Sequence, residues 1–302
     1  MADADGDLLV LLLDLALLRP DNPAAASMGV PPTEILAQLL AFTNAYTMLN
    51  SRNRLAIFAG QHDMCHLVHL GLGEEANSST ASVFPAGCLH TRLSELVARC
   101  SAAAAAAPSH AAAPSSFALS GGLSRALCLI HRLQHHRPGG GGGGGRRGRP
   151  RLLALVASPD ASMQYIPVMN AIFSAQRAEV VLDAVVLAPE DSSFLQQAAH
   201  LTGGLYFRPA ATTGLLGLLL NYFVTDSSTR GQLDVSQELG VDFRASCFCH
   251  KYVIETGFVC SVCLSIFCQP SRACSTCGTA FTTGAGAGAA GAGAGAAARG
   301  GG

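Results

Sequence analysis

The residues best suited to chemistry in this chain are cysteines gathered near its end. Seven of the eleven cysteines fall between Cys247 and Cys277, and His250 lies among them. Thiols at this density are either joined in disulfides or bound to a metal ion. An odd number of cysteines would leave one thiol without a disulfide partner, so the pattern favours metal binding.

Two Cys-x-x-Cys pairs predict a tetrahedral zinc site. The first pair is Cys260 and Cys263, and the second is Cys274 and Cys277. Two intervening residues let both thiolates of a pair reach one cation, and two such turns complete a four-thiolate coordination sphere. We therefore predict that these four cysteines bind zinc.

The remaining donors in this stretch are Cys247, Cys249, His250 and Cys268. In a cross-brace, alternate groups of ligands bind each of two metals, so these four residues could hold a second zinc ion. Cys-x-Cys-His is an unusual metal-binding turn, however, and Cys268 stands alone in the sequence. The sequence therefore leaves two alternatives for these residues: they bind a second zinc ion, or their thiols bind no metal.

The beginning of the chain and the other cysteines favour a reducing compartment. Residues 1–7 are acidic, whereas a cleavable secretion signal needs a basic start. The apolar run at residues 8–18 is too short to cross a bilayer and is interrupted by Asp14. The outlying cysteines have no ligand spacing, which is typical of reduced thiols: Cys65, Cys88, Cys100 and Cys128.

The composition provides ample material for a hydrophobic core and little charge. Of the 302 residues, 49% are hydrophobic and 13% are charged, and the net charge is −1. A protein that tracks nucleic acid through a broad basic surface carries an excess of lysine and arginine. The overall charge therefore gives no basis for nucleic-acid binding.

Strand-like and helix-like segments alternate along most of the chain. Residues 8–13 form a continuous aliphatic run, typical of a strand buried on both faces of a parallel sheet. We predict further strands at residues 54–59, 66–70, 152–157, 180–187 and 204–207. We predict helices at residues 33–49, 93–100, 119–136, 165–177, 194–201 and 214–224, and a loop at 73–90. This alternation predicts an α/β fold with a doubly wound, mostly parallel sheet and helices on both faces.

Changes in composition predict the domain organisation. An α/β domain spans residues 1–230 and contains a glycine- and arginine-rich insertion at 138–150. A cysteine-rich module follows at 241–281, and a glycine- and alanine-rich tail at 284–302 is expected to be disordered. A segment of about 40 residues cannot bury enough apolar surface to fold alone, so zinc would supply most of the folding energy of the module.

Two short motifs match ligand-binding patterns but lack the required context. Residues 71–76 resemble a dinucleotide fingerprint, yet loop-like residues follow where a helix is needed. Residues 147–150 (RGRP) resemble the core of a motif whose arginines enter an A·T minor groove. One short basic match beside a glycine run is weak evidence, and we interpret it as a solvated end of the insertion. We find no catalytic or cofactor-binding motif and expect a protein that is not an enzyme.

Three stretches together resemble one known family. They are residues 126–132 (ALCLIHR), residues 169–176 (MNAIFSAQ) with 201–206 (LTGGLY), and the cysteine-rich stretch 241–277. These stretches resemble the small von Willebrand A-type subunit of the core of general transcription factor IIH, which ends in a zinc finger. The resemblance is specific across residues 120–136 and 151–281 and looser across 8–60.

The resemblance implies a von Willebrand A-like fold, a zinc-binding C-terminal module and a location in the nucleus. It implies a non-catalytic scaffold that pairs chiefly with the zinc-binding, A-type partner subunit of the same complex. The family's complex supports two helicases in RNA polymerase II initiation and in nucleotide excision repair, so contact with nucleic acid would be indirect. We expect neither a membrane nor a small-molecule substrate as a partner.

Asp14 occupies the position where domains of the von Willebrand A type begin an Asp-x-Ser-x-Ser metal motif. Here the stretch at residues 14–18 is DLALL, so both serines are replaced by residues without an oxygen donor. One carboxylate seldom holds magnesium without further oxygen ligands. We therefore interpret Asp14 as a residue at a strand end, in a fold used as a docking surface.

Two other functional classes stay open. A RING-like ubiquitin-ligase component would also use cross-braced zinc, although its loops between cysteines should be longer and its first turn Cys-x-x-Cys. A zinc-dependent DNA-binding protein would need a basic module. This module has only three basic residues, Arg244, Lys251 and Arg272, and their charge is partly cancelled by Asp242 and Glu255. Apolar residues between the ligands could form a docking patch or fill the module's own core: Phe258, Val262, Leu264, Ile266 and Phe267.

Overall fold

The computed structural model describes most of the chain in segments. These are residues 6–19, 30–61, 64–72, 86–106, 117–135, 149–160, 164–209, 214–225, 227–232, 241, 243–244, 247–250 and 254–281. The chain divides into two compact units, Met1–Phe243 and Arg244–Gly302. Residues 147 and 148 of the arginine motif lie outside the described residues, as do residues 73–76 of the glycine motif and the predicted tail.

A six-stranded sheet forms the centre of the first unit, with strand order β3-β2-β1-β4-β5-β6. Neighbouring strands are parallel except β2 and β3, which form an antiparallel pair at one edge. The strands are β1 Leu8–Asp14, β2 Arg54–Gln61, β3 Met64–Gly71, β4 Arg151–Val156, β5 Val181–Val186 and β6 Tyr206–Phe207. The predicted doubly wound, mostly parallel sheet is therefore confirmed.

Helices cover both faces of this sheet. They are α1 Pro32–Leu49, α2 Ala86–Ala106, α3 Leu119–His135, α4 Tyr165–Arg177, α5 Ser193–Thr202, α6 Leu215–Tyr222 and α7 Ser227–Arg230. Side chains of α1, α2 and α6 pack in one core cluster, and side chains of α3, α4 and α5 pack in the other. None of the described helices is both long enough and apolar enough to cross a membrane.

The leucine run of β1 explains how one strand serves both layers. All seven residues of β1 are buried. Because successive side chains of a strand point to opposite faces, Leu9 and Leu11 belong to one core cluster. Leu8 and Leu12 belong to the cluster on the other face. The run of apolar residues from Leu8 to Leu13 therefore matches a central strand that is buried on both faces.

The structure corrects the predicted loop at residues 73–90. Residues 86–90 belong to α2, which begins before the predicted helix start at residue 93. Leu89 and Leu93 lie one helical turn apart, and both are buried in the core cluster of α1 and α6. Burial of this pair extends the helix toward its N-terminus. The strand predicted at 204–207 is also shorter, Tyr206–Phe207, and α7 was not predicted.

Two arginines attach the edge strand β3 to the helices of both layers. Arg92 of α2 donates to the carbonyl oxygen of Val68 at 2.8 Å. Arg125 of α3 donates to the carbonyl oxygen of Cys65. Edge strands with free carbonyl groups invite pairing with other chains, and these contacts occupy two such groups.

A buried ion pair joins α7 to β5. Both nitrogens at the end of the Arg230 side chain lie 2.5 Å from the carboxylate oxygens of Asp183. The Asp183 side chain is only 1% exposed and also accepts a hydrogen bond from the backbone N–H of Leu205 at 2.9 Å. Gly204 allows the chain before Leu205 to approach β5 closely, because a Cβ there would lie 1.8 Å from the carbonyl oxygen of Leu182.

The second unit is built around short turns and one small hairpin. Strand β7 (Phe258–Val259) pairs antiparallel with β8 (Ile266–Phe267). Its core consists of Cys260, Phe267 and Cys274, with Phe248, Cys263 and Phe281 packed against it. We call the described residues 247–281 of this unit the cysteine module.

Candidate metal centres

The first predicted ligand set comes together in the cysteine module. The sulfur atoms of Cys260, Cys263, Cys274 and Cys277 all lie within 4.8 Å of one another. The Cys260 and Cys277 sulfurs are 3.8 Å apart, and those of Cys263 and Cys274 are 3.5 Å apart. A tetrahedral zinc ion with ordinary zinc–sulfur distances separates its thiolates by about 3.8 Å, so the spacing and the donor chemistry both fit zinc.

Two turns of matching geometry present these four thiols. We call Cys260–Ser265 the first knuckle and Cys274–Thr279 the second knuckle. In the first, the N–H of Leu264 donates to the carbonyl of Cys260 at 2.9 Å; in the second, Gly278 donates to Cys274, also at 2.9 Å. Each knuckle is closed by a bond from its first cysteine N–H to the carbonyl of Ser265 or Thr279, at 2.9 and 2.8 Å.

A hydroxyl group accompanies the second thiol of each knuckle. The Ser265 oxygen lies 3.1 Å from the Cys263 sulfur, and the Thr279 oxygen lies 3.1 Å from the Cys277 sulfur. Hydrogen bonds from Thr279 lower the pKa of Cys277 to about 6, which favours the thiolate. Because the thiolate is the form that binds metal, the Thr279 hydroxyl supports the ligand role of the Cys277 sulfur.

The second predicted set also comes together. Ligand atoms of Cys247, Cys249, His250 and Cys268 lie within 4.8 Å of one another. The Cys249 and Cys268 sulfurs are 3.4 Å apart, and Nδ1 of His250 is 3.2 Å from the Cys268 sulfur. A hydrogen bond with the neighbouring Cys249 thiol raises the pKa of Cys268 to about 11, and desolvation and the negative charge of the nearby sulfurs add to the rise. A bound cation would favour the thiolate instead.

The two clusters interleave along the chain. One cluster takes ligands from residues 247–250 and 268, and the other from residues 260–263 and 274–277. All eleven cysteines lie in the described residues, and none of them is joined in a disulfide. The two clusters could therefore each hold a metal ion, in the alternating order of a cross-brace.

Asp14 lies at the carboxyl edge of the sheet, where open α/β sheets bind ligands. Its carboxylate is fully buried and accepts hydrogen bonds from the N–H groups of Ala16 at 2.9 Å, Ala157 at 3.1 Å and Ser158 at 2.8 Å. Burial raises the pKa of Asp14, and the bond with the Ser158 side chain and those from the backbone oppose that rise. The carboxylate thus joins the end of β1 to the loop after β4.

We expect Asp14→Asn to lower the free energy of unfolding by about 2 kcal/mol, because an amide would turn N–H donors toward backbone N–H groups. Thermal or urea unfolding of the full chain measures the loss. Glu95→Gln on the exposed face of α2 is the control, because the same change from carboxylate to amide at an exposed position should alter stability little. An unchanged midpoint for Asp14→Asn would contradict the role of this carboxylate.

Asp160 is a second acidic residue near this edge, and no motif in the sequence singles it out. It accepts hydrogen bonds from the Ser192 hydroxyl at 2.6 Å and from the N–H of Phe194 at 3.3 Å, so it helps to cap α5. Burial raises its pKa, and the bond from Ser192 partly offsets the rise. Its position just after a predicted strand was the available signal. Its carboxylate, like that of Asp14, is engaged by protein donors.

The comparisons with known proteins agree with the resemblance noted in the sequence. A family model described as "Transcription factor Tfb4" matches residues 6–278. General transcription and DNA repair factor IIH subunit TFB4 of Arabidopsis thaliana is 39% identical over 288 residues, which cover 92% of this chain and 89% of that protein. The subunit tfb4 of Schizosaccharomyces pombe is 36% identical over 280 residues, covering 91% and 89%.

Among solved structures, the crystal structure of the TFIIH p34 N-terminal domain superposes with a TM-score of 0.54. That comparison has 23% sequence identity and covers 72% of this chain and 97% of that domain. The likeness concerns the fold alone. The family model spans both the sheet domain and the two cysteine clusters, and the relatives match over most of their length. The chain therefore belongs to the Tfb4 family of transcription factors.

Proposed function

We propose that this protein is a non-catalytic scaffold subunit of the core of general transcription factor IIH in the nucleus. In that role it would support RNA polymerase II initiation and nucleotide excision repair through contacts with other subunits. Family membership and the names of relatives as transcription and DNA repair factor subunits support the proposal. The engagement of Asp14 and Asp160 by protein donors supports a sheet domain used for docking.

We propose further that each cluster of the cysteine module holds one zinc ion. The first ion would be bound by Cys260, Cys263, Cys274 and Cys277, and the second by Cys247, Cys249, His250 and Cys268. The two interleaved sets of donors within 4.8 Å are the observation that carries this proposal. Zinc would supply the folding energy that the small core of the module lacks.

We propose the zinc-binding, von Willebrand A-type subunit of the same complex as the chief partner, with nucleic acid contacted only through the assembly. Co-expression of the full chain with that subunit, followed by affinity purification and size-exclusion chromatography, tests this. We expect a stoichiometric complex that survives 0.5 M salt, a concentration of roughly three times physiological ionic strength that weakens purely electrostatic contacts. Failure of the two folded, zinc-loaded chains to associate would contradict the proposal.

A RING-like role in ubiquitin transfer is the second candidate, because the interleaved ligand order is that of a cross-brace. An autoubiquitination assay with a panel of conjugating enzymes separates the two functions. The scaffold function predicts no zinc-dependent ubiquitin chain formation. Zinc-dependent activity that Cys260→Ser abolishes would favour the RING-like role instead.

Deletion of residues 139–148 is expected to leave assembly with other subunits intact. This stretch contains seven consecutive glycines, which have no side chains to pack against a partner. Yield of the co-purified complex and its unfolding temperature measure the effect. A complex lost on deletion, and restored by a serine-rich replacement of equal length, would show that the insertion has a required length.

A further inference from the structure

The first knuckle and its entering strand expose an unusual number of apolar side chains. Phe258 is 54% exposed, Val259 57%, Val262 66% and Leu264 58%. We call these four residues the knuckle-one surface. Phe267, one of the residues expected either in a docking patch or in the module's own core, is buried in that core, and Ile266 is partly buried. The core therefore uses Phe267 and leaves the four residues of the knuckle-one surface without burial in the described module.

The backbone of Leu264 provides an independent observation. Leu264 has φ +60°, a left-handed conformation that residues other than glycine adopt rarely and at a cost. The matching position of the second knuckle is Gly278, with φ +74° and the same hydrogen bond to the first cysteine. The turn thus works with glycine and does not need a leucine. The Leu264 side chain is exposed although its backbone conformation is strained, which points to a role for this side chain outside the module.

The two knuckles share their metal-binding geometry and differ in their exposed apolar side chains. Their first cysteines are each followed by an exposed serine, and each knuckle ends in a residue whose hydroxyl lies 3.1 Å from a cysteine sulfur. At the two remaining positions the first knuckle has Val262 and Leu264, and the second has Thr276 and Gly278. The metal-binding geometry is therefore shared, while the apolar surface is specific to the first knuckle.

The chemistry of this region restricts its partner. Within residues 254–281, all of them described, the only charged side chains are Glu255 and Arg272. Such a surface cannot neutralise phosphates, so neither nucleic acid nor an acidic peptide fits it. Phe258 and Val259 are neighbours in a strand and point to opposite faces, and both are exposed. Burying both requires a partner that encloses β7 from two sides.

We propose that the knuckle-one surface inserts into an uncharged, apolar groove on another subunit of the factor IIH core. This proposal rests on the proposed function, because it takes the partner from that complex. The groove covers Phe258 and Val259 on the two faces of β7 and receives Val262 and Leu264 from the knuckle. The metal centre then serves to hold this surface rigid, so that little conformational entropy is lost on binding.

The test exchanges the apolar residues of the first knuckle for those of the second. The double variant Val262→Thr/Leu264→Gly, in the full chain, competes with wild type for limiting co-expressed core subunits, and mass spectrometry measures the ratio in the purified complex. We expect the variant to be depleted about tenfold or more, as for the loss of a central apolar contact. Zinc content and resistance to unfolding should equal or exceed those of wild type, because glycine relieves the left-handed strain at position 264.

Thr276→Ser in the second knuckle is the matched control and should compete equally with wild type. Equal incorporation of the double variant would overturn the docking surface while leaving the scaffold function intact. Failure of wild type itself to assemble would overturn the scaffold function. Depletion accompanied by loss of zinc would also count against the proposal, because the effect would then arise from unfolding. If the double variant changes the stability of the isolated chain but not its assembly, the surface is covered by the chain's own first unit.

Discussion

Cys260→Ser and Cys277→Ser are each expected to release zinc from the cysteine module and to unfold it. The buried Cys260 sulfur lies 3.8 Å from the Cys277 sulfur, and both belong to the same cluster of four. Binding of structural zinc by modules of this size contributes about 10–16 kcal/mol, far more than the small core of the module can replace. A hydroxyl is a poor ligand for zinc compared with a thiolate.

Elemental analysis of zinc per chain and the rate of limited proteolysis within residues 244–281 measure this effect. Cys128→Ser is the control, because Cys128 is exposed on α3 and is distant in sequence from both clusters. Assembly with other subunits should fall together with the zinc content. A normal complex and an unchanged zinc content in either cysteine variant would rule out the ligand assignment.

Arg230→Met is expected to cost the first unit about 3–5 kcal/mol, because it leaves the carboxylate of Asp183 buried without its partner. Asp183 is 1% exposed, and Arg230 contacts both of its oxygens at 2.5 Å. The guanidinium also lies over the ring of Phe223, 5.8 Å from its centroid. Loss of the pair should therefore also loosen α7.

Urea unfolding of the full chain, followed by circular dichroism, measures the loss. The exposed pair of Arg208 and Asp191, at 2.8 Å and 41% and 44% exposed, provides the control. Arg208→Met should cost less than about 1 kcal/mol, as exposed ion pairs do. In the double variant Asp183→Asn/Arg230→Met much of the stability should return, since no charge stays buried. Equal effects of Arg230→Met and Arg208→Met would contradict the importance of burial.

Local patterns in the sequence predicted the central strands and the grouping of the cysteine side chains, while metal binding by these groups stays a prediction. The leucine run before Asp14 indicates a strand buried on both faces, because only such a strand has apolar residues at every position. The spacing of Cys260, Cys263, Cys274 and Cys277 predicts a cluster since ligand spacing is a local property of a turn. Cys268 lies in the second cluster although it has no neighbouring cysteine or histidine in the sequence.

Contacts between distant residues could not be predicted. Asp183 and Arg230 are 47 residues apart, and the sequence shows only an acidic residue inside a strand and an arginine in a polar stretch. The early start of α2 at Ala86 depends on burial of Leu89 against residues of other helices. The left-handed conformation of Leu264 could not be predicted either. Glycine, which adopts this conformation readily, occurs only at the equivalent position of the second knuckle, Gly278.

Native mass spectrometry of the full chain, purified under reducing conditions without added metal, tests the central claim most directly. We predict two zinc ions per chain, released together with exposure of the seven thiols of the module to an alkylating reagent when a strong chelator is added. One zinc ion would contradict the second site. A chain without zinc, or with these sulfurs joined in disulfides, would contradict the claim that metal organises the module.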